Sequence, residues 1–309
     1  MKSDQDQRIL LMSKGVHVLI NWLQDVVNQG VGQLSTVNPA YWESLAALMV
    51  DHKLGGLARR IRRFGTIIDE QDEWLDAILA EIGQLYLIAK GLSQIENYSP
   101  DIQAEILAQA GKSITKKDLL KSPSTPQAIL VMGQSFGQEE QLSFRKTWYW
   151  LDADGYFAME LEFIVGRQSR FSPTLPTGSI RRADIFTYPS TLPSRILMQN
   201  SQPYSGHLSP KMLSDFSEMI GQFNQALGKN PWLVDFPCVI QNIHPILRRN
   251  EIFLADRDNR ILEIAYKHSR ADYLSLYAQK QPIDIFGTWN GQEFQAISAV
   301  TRQGAVFVL

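Results

Sequence analysis

The spacing of apolar residues changes once along this chain, near residue 123, and that change constrains the fold more than any other feature. Before Ser122 apolar residues return every three or four positions, the period of a helix face. Met12, Val16, Leu19, Ile20, Leu23, Val26 and Val27 form the first stripe, and Gly30 and Gly32 follow as stop signals. Asn38-Pro39 joins a capping side chain to a proline at the first turn, opening a second helix to about Met49. Residues 54–67 make a third. Asp69, Glu70, Asp72 and Glu73 are expected in the first turn of a fourth, where the macrodipole favours acids; it runs to about Ile95. Ser99-Pro100-Asp101 opens a fifth helix through Ala110, stopped by Gly111, and residues 115–121 suit a last short turn.

KSPSTPQ (121–127) has the composition of a linker, and beyond it the period becomes two. Leu142, Phe144, Lys146, Trp148 and Trp150 share one strand face. Phe157, Met159, Leu161 and Phe163 share another, with Ala158, Glu160 and Glu162 opposite. Asp152-Ala153-Asp154-Gly155 between them suits a hairpin turn. Further strands are expected at 128–135, 179–188, 195–200, 238–243, 251–255, 261–266, 283–288, 293–299 and 305–308. One helix interrupts them, from Ser209-Pro210 to about Leu227, closed by Gly228; residues 272–279 suit a short helix or a strand. Helices first and strands second, without β–α–β alternation, predict an α+β protein. A helical domain at 1–122 precedes a mostly antiparallel β-rich domain at 126–309, with a further division open near 230 at Asn230-Pro231-Trp232.

Thirty basic residues face 32 acidic ones, a net charge of −2. Dedicated nucleic-acid binders carry a basic excess, so nucleic acid is not favoured as a partner. One cysteine, Cys238, forms no internal disulfide and founds no cysteine zinc site. The opening MKSDQDQRIL lacks the basic start of a signal peptide. The most apolar helical stretch has its longest uncharged run at 82–89, far short of the roughly 20 residues a membrane span needs. A cytoplasmic protein without membrane contact is expected.

Residues 57–64 read LARRIRRF. On a helix Leu57, Ile61 and Phe64 cluster on one side, Arg59, Arg62 and Arg63 point away, and Arg60 lies on the flank. Such a face suits docking to phosphate or an acidic partner, since the guanidinium fork recognises carboxylates and phosphates bidentately. A charge run of this kind is more often a solvated helix face, but four arginines without a lysine keep the docking reading open. These four arginines are the interaction candidates.

Elsewhere the search for chemistry gives little. Asp152 and Asp154 begin a calcium-loop pattern, but the twelfth position is Phe163 rather than glutamate. His17, His52, His207, His244 and His268 are scattered, so no metal site is expected, and His17 beside the first apolar stripe reads as structural. Gly133-Gln134-Ser135-Phe136-Gly137 matches GxSxG, yet a nucleophile elbow needs a strand-to-helix turn and strands flank it here. A Ser135 hydrolase is the remote alternative. Cys238 in FPCVI reads as an inert core thiol. The chain contains neither GxxxxGK[ST] nor GxGxxG. The aromatics around Trp148–Trp150 and Phe286–Phe294 suit stacking on single-stranded nucleic acid, or a β core; alternation favours the core. No catalytic residue, metal or cofactor is assigned, and a non-enzymatic protein is expected.

Several stretches, in this order and spacing, resemble one family. They are INWLQDVV (20–27), YWESLAALMVDHKLGGLARRIRRF (41–64), LAEIGQLYLIAKGL (79–92), RKTWYW (145–150), ALGKNPWLVDFP (226–237) and FGTWNGQEF (286–294). Together they resemble the region that follows the zinc finger in bacterial SWIM zinc-finger family proteins. The family's CxCx(n)CxH motif is absent from a chain with one cysteine, so zinc and finger-type DNA binding do not carry over. The resemblance implies a setting: such proteins are typically encoded beside a MoxR-type AAA+ ATPase and a von Willebrand A-domain (VWA) protein. The resemblance transfers no functional residue; that setting, the absence of catalytic motifs and the arginine face together point to a non-enzymatic protein-interaction module working with those partners. Nucleic-acid binding through Arg59, Arg60, Arg62 and Arg63 stands as the alternative.

Overall fold

The computed structural model describes residues 4–70, 73–139, 142–164, 170–192, 194–248, 251–264, 282–300 and 306–308. The expectations for 272–279, His268, Asp72 and residues 265, 266 and 305 lie outside them. The chain divides into two compact units, one of Met1–Thr115 with Pro189–Thr191, the other of Lys116–Tyr188 with Leu192–Leu309. Helices come first and antiparallel sheets second, the expected α+β architecture.

The first unit is built from α1 (Asp4–Gln29), α2 (Pro39–Asp51), α3 (Gly55–Glu70), α4 (Trp74–Ser93) and α5 (Pro100–Gln109). Apolar residues at helical spacing bury one stripe of each of the first four helices, Trp42, Leu45, Ala46 and Met49 on α2 and Ile78, Ile82, Leu85 and Ile88 on α4, while Leu48, Val50, Leu75, Leu79 and Leu87 of α2 and α4 stay exposed. Met12, Val16, Leu19, Leu23 and Val26 of α1 are buried, whereas Val27 at the margin of the stripe is 59% exposed. His17 is exposed, so the structural role expected for it is not seen. Asn38 caps α2 as anticipated, its Oδ1 accepting the Ala40 N–H at 2.9 Å. The Trp42 ring lies 5.3 Å from Phe64 and 6.4 Å from Trp22, whose indole N–H donates to the Tyr41 hydroxyl at 2.7 Å.

The acids after Ile67 depart from expectation. Asp69 and Glu70 end α3 rather than opening α4, because no breaker follows Ile67 and the helix runs on. They face the negative end of the helix dipole, an unfavourable placement. Glu73 stands before α4 without a side-chain capping bond. The start of α3 touches the end of α5 through backbone alone: the Gly56 N–H donates to the Ala110 carbonyl at 3.0 Å, and Gly111 follows at φ 97°.

The second unit begins with the short helix α6 (Lys116–Leu119) and a five-stranded sheet. Its strands are β1 (Thr125–Glu139), β2 (Leu142–Leu151), β3 (Tyr156–Phe163), β4 (Ile180–Thr187) and β5 (Ile196–Pro203), in the order β3-β2-β1-β4-β5. The linker expected at 121–127 is shorter than its composition suggests, since Thr125, Pro126 and Gln127 already pair with β4. The register of β1 with β2 begins only at Ile129, so Pro126 lies where the strand is paired on one side, a position that tolerates proline. The hairpin at 152–155 is present as expected, Gln127 Nε2 donating to Asp154 at 2.6 Å.

The sheet curls until its edge strands meet. The Met159 N–H donates to the Ser194 carbonyl at 2.7 Å, and Met159 bridges Arg195. A closed edge leaves no template for pairing with another chain. One face of β2, carrying Trp148 and Trp150, packs with Leu130, Val239, Phe286 and Ile297 against the second sheet. The other, carrying Tyr149 and Leu151, packs with Ile129, Val131, Ala183 and Ile185 inside the curl. The alternation of the sequence therefore separates two buried faces rather than a buried face from a wet one.

The second sheet contains β6 (Met212–Leu213), β7 (Phe236–Arg248), β8 (Glu251–Ala255), β9 (Ile261–Glu263), β10 (Ile283–Trp289), β11 (Phe294–Val300) and β12 (Val306–Val308). Their order is β12-β11-β10-β7-β8-β9, with β6 parallel to β7. Between β6 and β7 runs α7 (Phe216–Lys229), burying Phe216, Met219, Phe223 and Ala226 on one stripe. Ser209-Pro210 does not open this helix. The cap is Asp215, whose carboxylate accepts the Glu218 N–H at 2.9 Å, while Glu218 accepts the Ser214 N–H at 2.8 Å. This reciprocal box, shifted one residue from the usual pattern, satisfies two backbone donors at once.

The cap has a pH consequence. Hydrogen bonds from the Glu218 N–H, the Ser214 hydroxyl and Arg257 hold Asp215 below the usual range; those from the Ser214 N–H and hydroxyl hold Glu218 below its own. Folded values below unfolded ones mean stability that is present above the unfolded pKa, about 4, and lost as pH falls through the folded values. Denaturant unfolding at pH 7 and pH 3 is expected to show a smaller difference for Asp215→Asn than for the native chain.

Candidate functional site

The four arginines lie on α3, and helix packing divides them. Leu57, Ile61 and Phe64 are fully buried and fix the rotation of the helix. That rotation turns Arg59 and Arg63, one turn apart, into solvent. Arg60 is drawn inward instead, donating to Glu81 at 3.0 Å and to Gln109 at 3.3 Å. Arg62 grips Glu43 of α2 with a two-pronged bond, Nε at 2.8 Å and Nη2 at 2.9 Å. The side chains of that pair remain 35% and 63% exposed. The Arg62 bond, with the guanidinium charge behind it, holds Glu43 below the usual carboxylate range against the opposing effect of desolvation. An exposed pair adds little stability, so Arg62→Gln is expected to leave the thermal unfolding of the chain unchanged, a result circular dichroism reads directly.

A second cluster, absent from the expectations, lies inside the curled sheet at the mouth of its interior. The register places Arg145 opposite Glu162 and Thr147 opposite Glu160, all on the face that carries Tyr149. Arg145 is only 8% exposed. It donates to Glu162 and, at 2.9 Å, to the Ser172 carbonyl, and its guanidinium lies over the Phe171 ring at 5.1 Å. Its Nε–H is buried with no hydrogen-bond acceptor among the described residues, a cost of about 1–3 kcal/mol. Glu160 accepts from the Tyr149 hydroxyl at 3.0 Å and from the Met198 N–H of β5 at 2.7 Å, tying the two meeting edges together.

These carboxyls are pushed apart. Burial raises Glu160 more than the Met198 N–H, the Tyr149 hydroxyl and the Lys116 charge lower it. Burial also acts on Glu162, but the Ser172 N–H, its hydroxyl and Arg145 outweigh it and hold that group low. The Tyr149 phenol is driven up by burial and by Glu160. The cavity beside them, about 220 Å³, is walled by Lys116, Arg145, Tyr149, Glu160, Arg195 and Met198, among others. The missed signal was the run TWYWL: when every position of a strand is bulky, both faces are buried, and charged residues on its flank and its partner are buried too.

The remaining expected groups are placed as follows. Ser135 lies within the unbroken β1 and receives the Trp148 indole N–H at 3.3 Å; no strand-to-helix turn presents it. Cys238 is a buried free thiol, its pKa pushed up by burial. Among the described residues no group of three or more His, Cys, Asp or Glu is placed to hold a metal ion. No helix among them is long and apolar enough to cross a membrane.

Residues 7–110, the helical third of the chain, match the SWIM-associated four-helix bundle domain. The helical region is therefore of the kind that accompanies SWIM zinc fingers, in agreement with the resemblance carried by INWLQDVV and YWESLAALMVDHKLGGLARRIRRF. No curated protein and no solved structure matches the chain.

Proposed function

We propose that this chain is a non-enzymatic adaptor, a cytoplasmic protein-interaction module that works with a MoxR-type AAA+ ATPase and a VWA-domain partner. The observation that carries this reading is the SWIM-associated bundle at residues 7–110, with Arg59 and Arg63 exposed together on its third helix. Arg60, bonded to Glu81 and Gln109, anchors the helix that displays them. Arg62 is already shaped for a carboxylate by Glu43, and an acidic partner segment takes the place of that exposed glutamate. Such a face steers association and gives an on-rate that falls with salt.

The test is affinity purification of the tagged chain from its native host, in low salt with nuclease, followed by mass spectrometry. Recovery of the ATPase or the VWA protein is the expected result. A chain that elutes alone contradicts it. A chain that binds nucleic acid when nuclease is omitted, with a steep loss of affinity as salt rises, assigns the arginine face to phosphate instead.

A further inference from the structure

The mouth of the curled sheet holds more positive than negative charge. Lys116 on α6 and Arg195 beside β5 join Arg145 there, against Glu160 and Glu162. Glu162 is fully engaged by Arg145 and Ser172, and Glu160 by Tyr149 and Met198. Arg195 rests on the Tyr188 ring at 4.5 Å, and neither it nor Lys116 forms an ion pair among the described residues. Apolar side chains, Leu175, Leu197 and Met198, line the rest of the wall. Small-molecule sites combine an apolar wall with a few convergent polar groups, and the mouths of β-barrels are frequent places for them.

The geometry points to a binding site for a small organic anion, its carboxylate or phosphate held by Lys116 and Arg195 and its apolar body against Leu175, Leu197 and Met198. A cavity of about 150 Å³ takes benzene. The 220 Å³ here takes a molecule of about ten non-hydrogen atoms. The site belongs wholly to the second unit, so it stands independently of the partner reading of the helical one.

Titration calorimetry on the full chain tests it with phenylacetate, phenyl phosphate and the neutral phenylacetamide. At least one anion is expected to bind with a dissociation constant of about 1 mM or tighter, and the amide at least about tenfold more weakly. Preference between the two anions identifies the headgroup. Lys116→Gln changes an exposed residue and keeps the fold; it is expected to weaken the preferred anion severalfold, and Lys116→Gln with Arg195→Gln at least about tenfold. Arg59→Gln with Arg63→Gln, which removes equal charge elsewhere, is expected to leave that binding unchanged. Failure of both anions to bind better than the amide overturns the assignment. So does an affinity that the Lys116 and Arg195 variants leave intact while circular dichroism shows them folded.

Discussion

Asp256→Ala lowers the stability of the second unit by about 3 kcal/mol, because three backbone donors lose their acceptor at once. The Asp256 carboxylate is 1% exposed. One oxygen accepts the Asp258 and Arg260 N–H groups, both at 2.9 Å; the other accepts the Phe216 N–H at 3.2 Å. The first pair shapes the turn between β8 and β9. The third holds the first residue of α7, where the helix leaves its N–H groups without internal partners. Asp256→Asn keeps one carbonyl oxygen for the turn and sets an amide N–H₂ against the Phe216 N–H, so about half the loss is expected. Denaturant unfolding of the three proteins, followed through the tryptophan signal, gives the order native, asparagine, alanine. Equal stability of native and alanine proteins contradicts the account of this carboxylate.

Gly56→Ala carries a comparable penalty in the first unit, also about 3 kcal/mol. A Cβ at this position falls 2.1 Å from the Gln109 carbonyl oxygen and 2.7 Å from the Gly111 nitrogen. Both atoms are backbone, so no side chain can swing aside; α3 and α5 must separate. The Gly56-to-Ala110 hydrogen bond is lost with them. Gly55, the preceding residue, has nothing within 4 Å of its Cβ position. Gly55→Ala is therefore neutral or stabilising by about 0.5 kcal/mol, from helix propensity alone. The pair is a sharp contrast between two adjacent, identical residues, measured by thermal unfolding at 222 nm.

The helices were legible because a 3.6-residue period with caps such as Asn38-Pro39 is a local signal. Ser209-Pro210 misled for the same reason. It imitates a cap, while the real box at Ser214, Asp215 and Glu218 lies five residues on, behind a two-residue strand too short to show a period. Asp69 and Glu70 misled because charge marks a helix end only when a breaker marks it too. In the candidate site the arginine run was legible as a cluster, but its partners were not. Glu43, Glu81 and Gln109 lie 19, 21 and 49 residues away, and only the packing of α2, α4 and α5 on α3 brings them in. The pocket at Arg145 and Glu160 depends on β3 meeting β5, a closure no local pattern encodes.

The central claim, an arginine face on the SWIM-associated bundle that docks an acidic partner, has one direct test. The purified chain is titrated with a purified MoxR-type ATPase, and with a purified VWA-domain protein, from its native host, at low and at physiological salt. A complex that weakens as salt rises and is lost in Arg59→Glu with Arg63→Glu is expected, while circular dichroism shows the variant folded. A complex of unchanged affinity in that variant, or no complex with either protein at low salt, contradicts it.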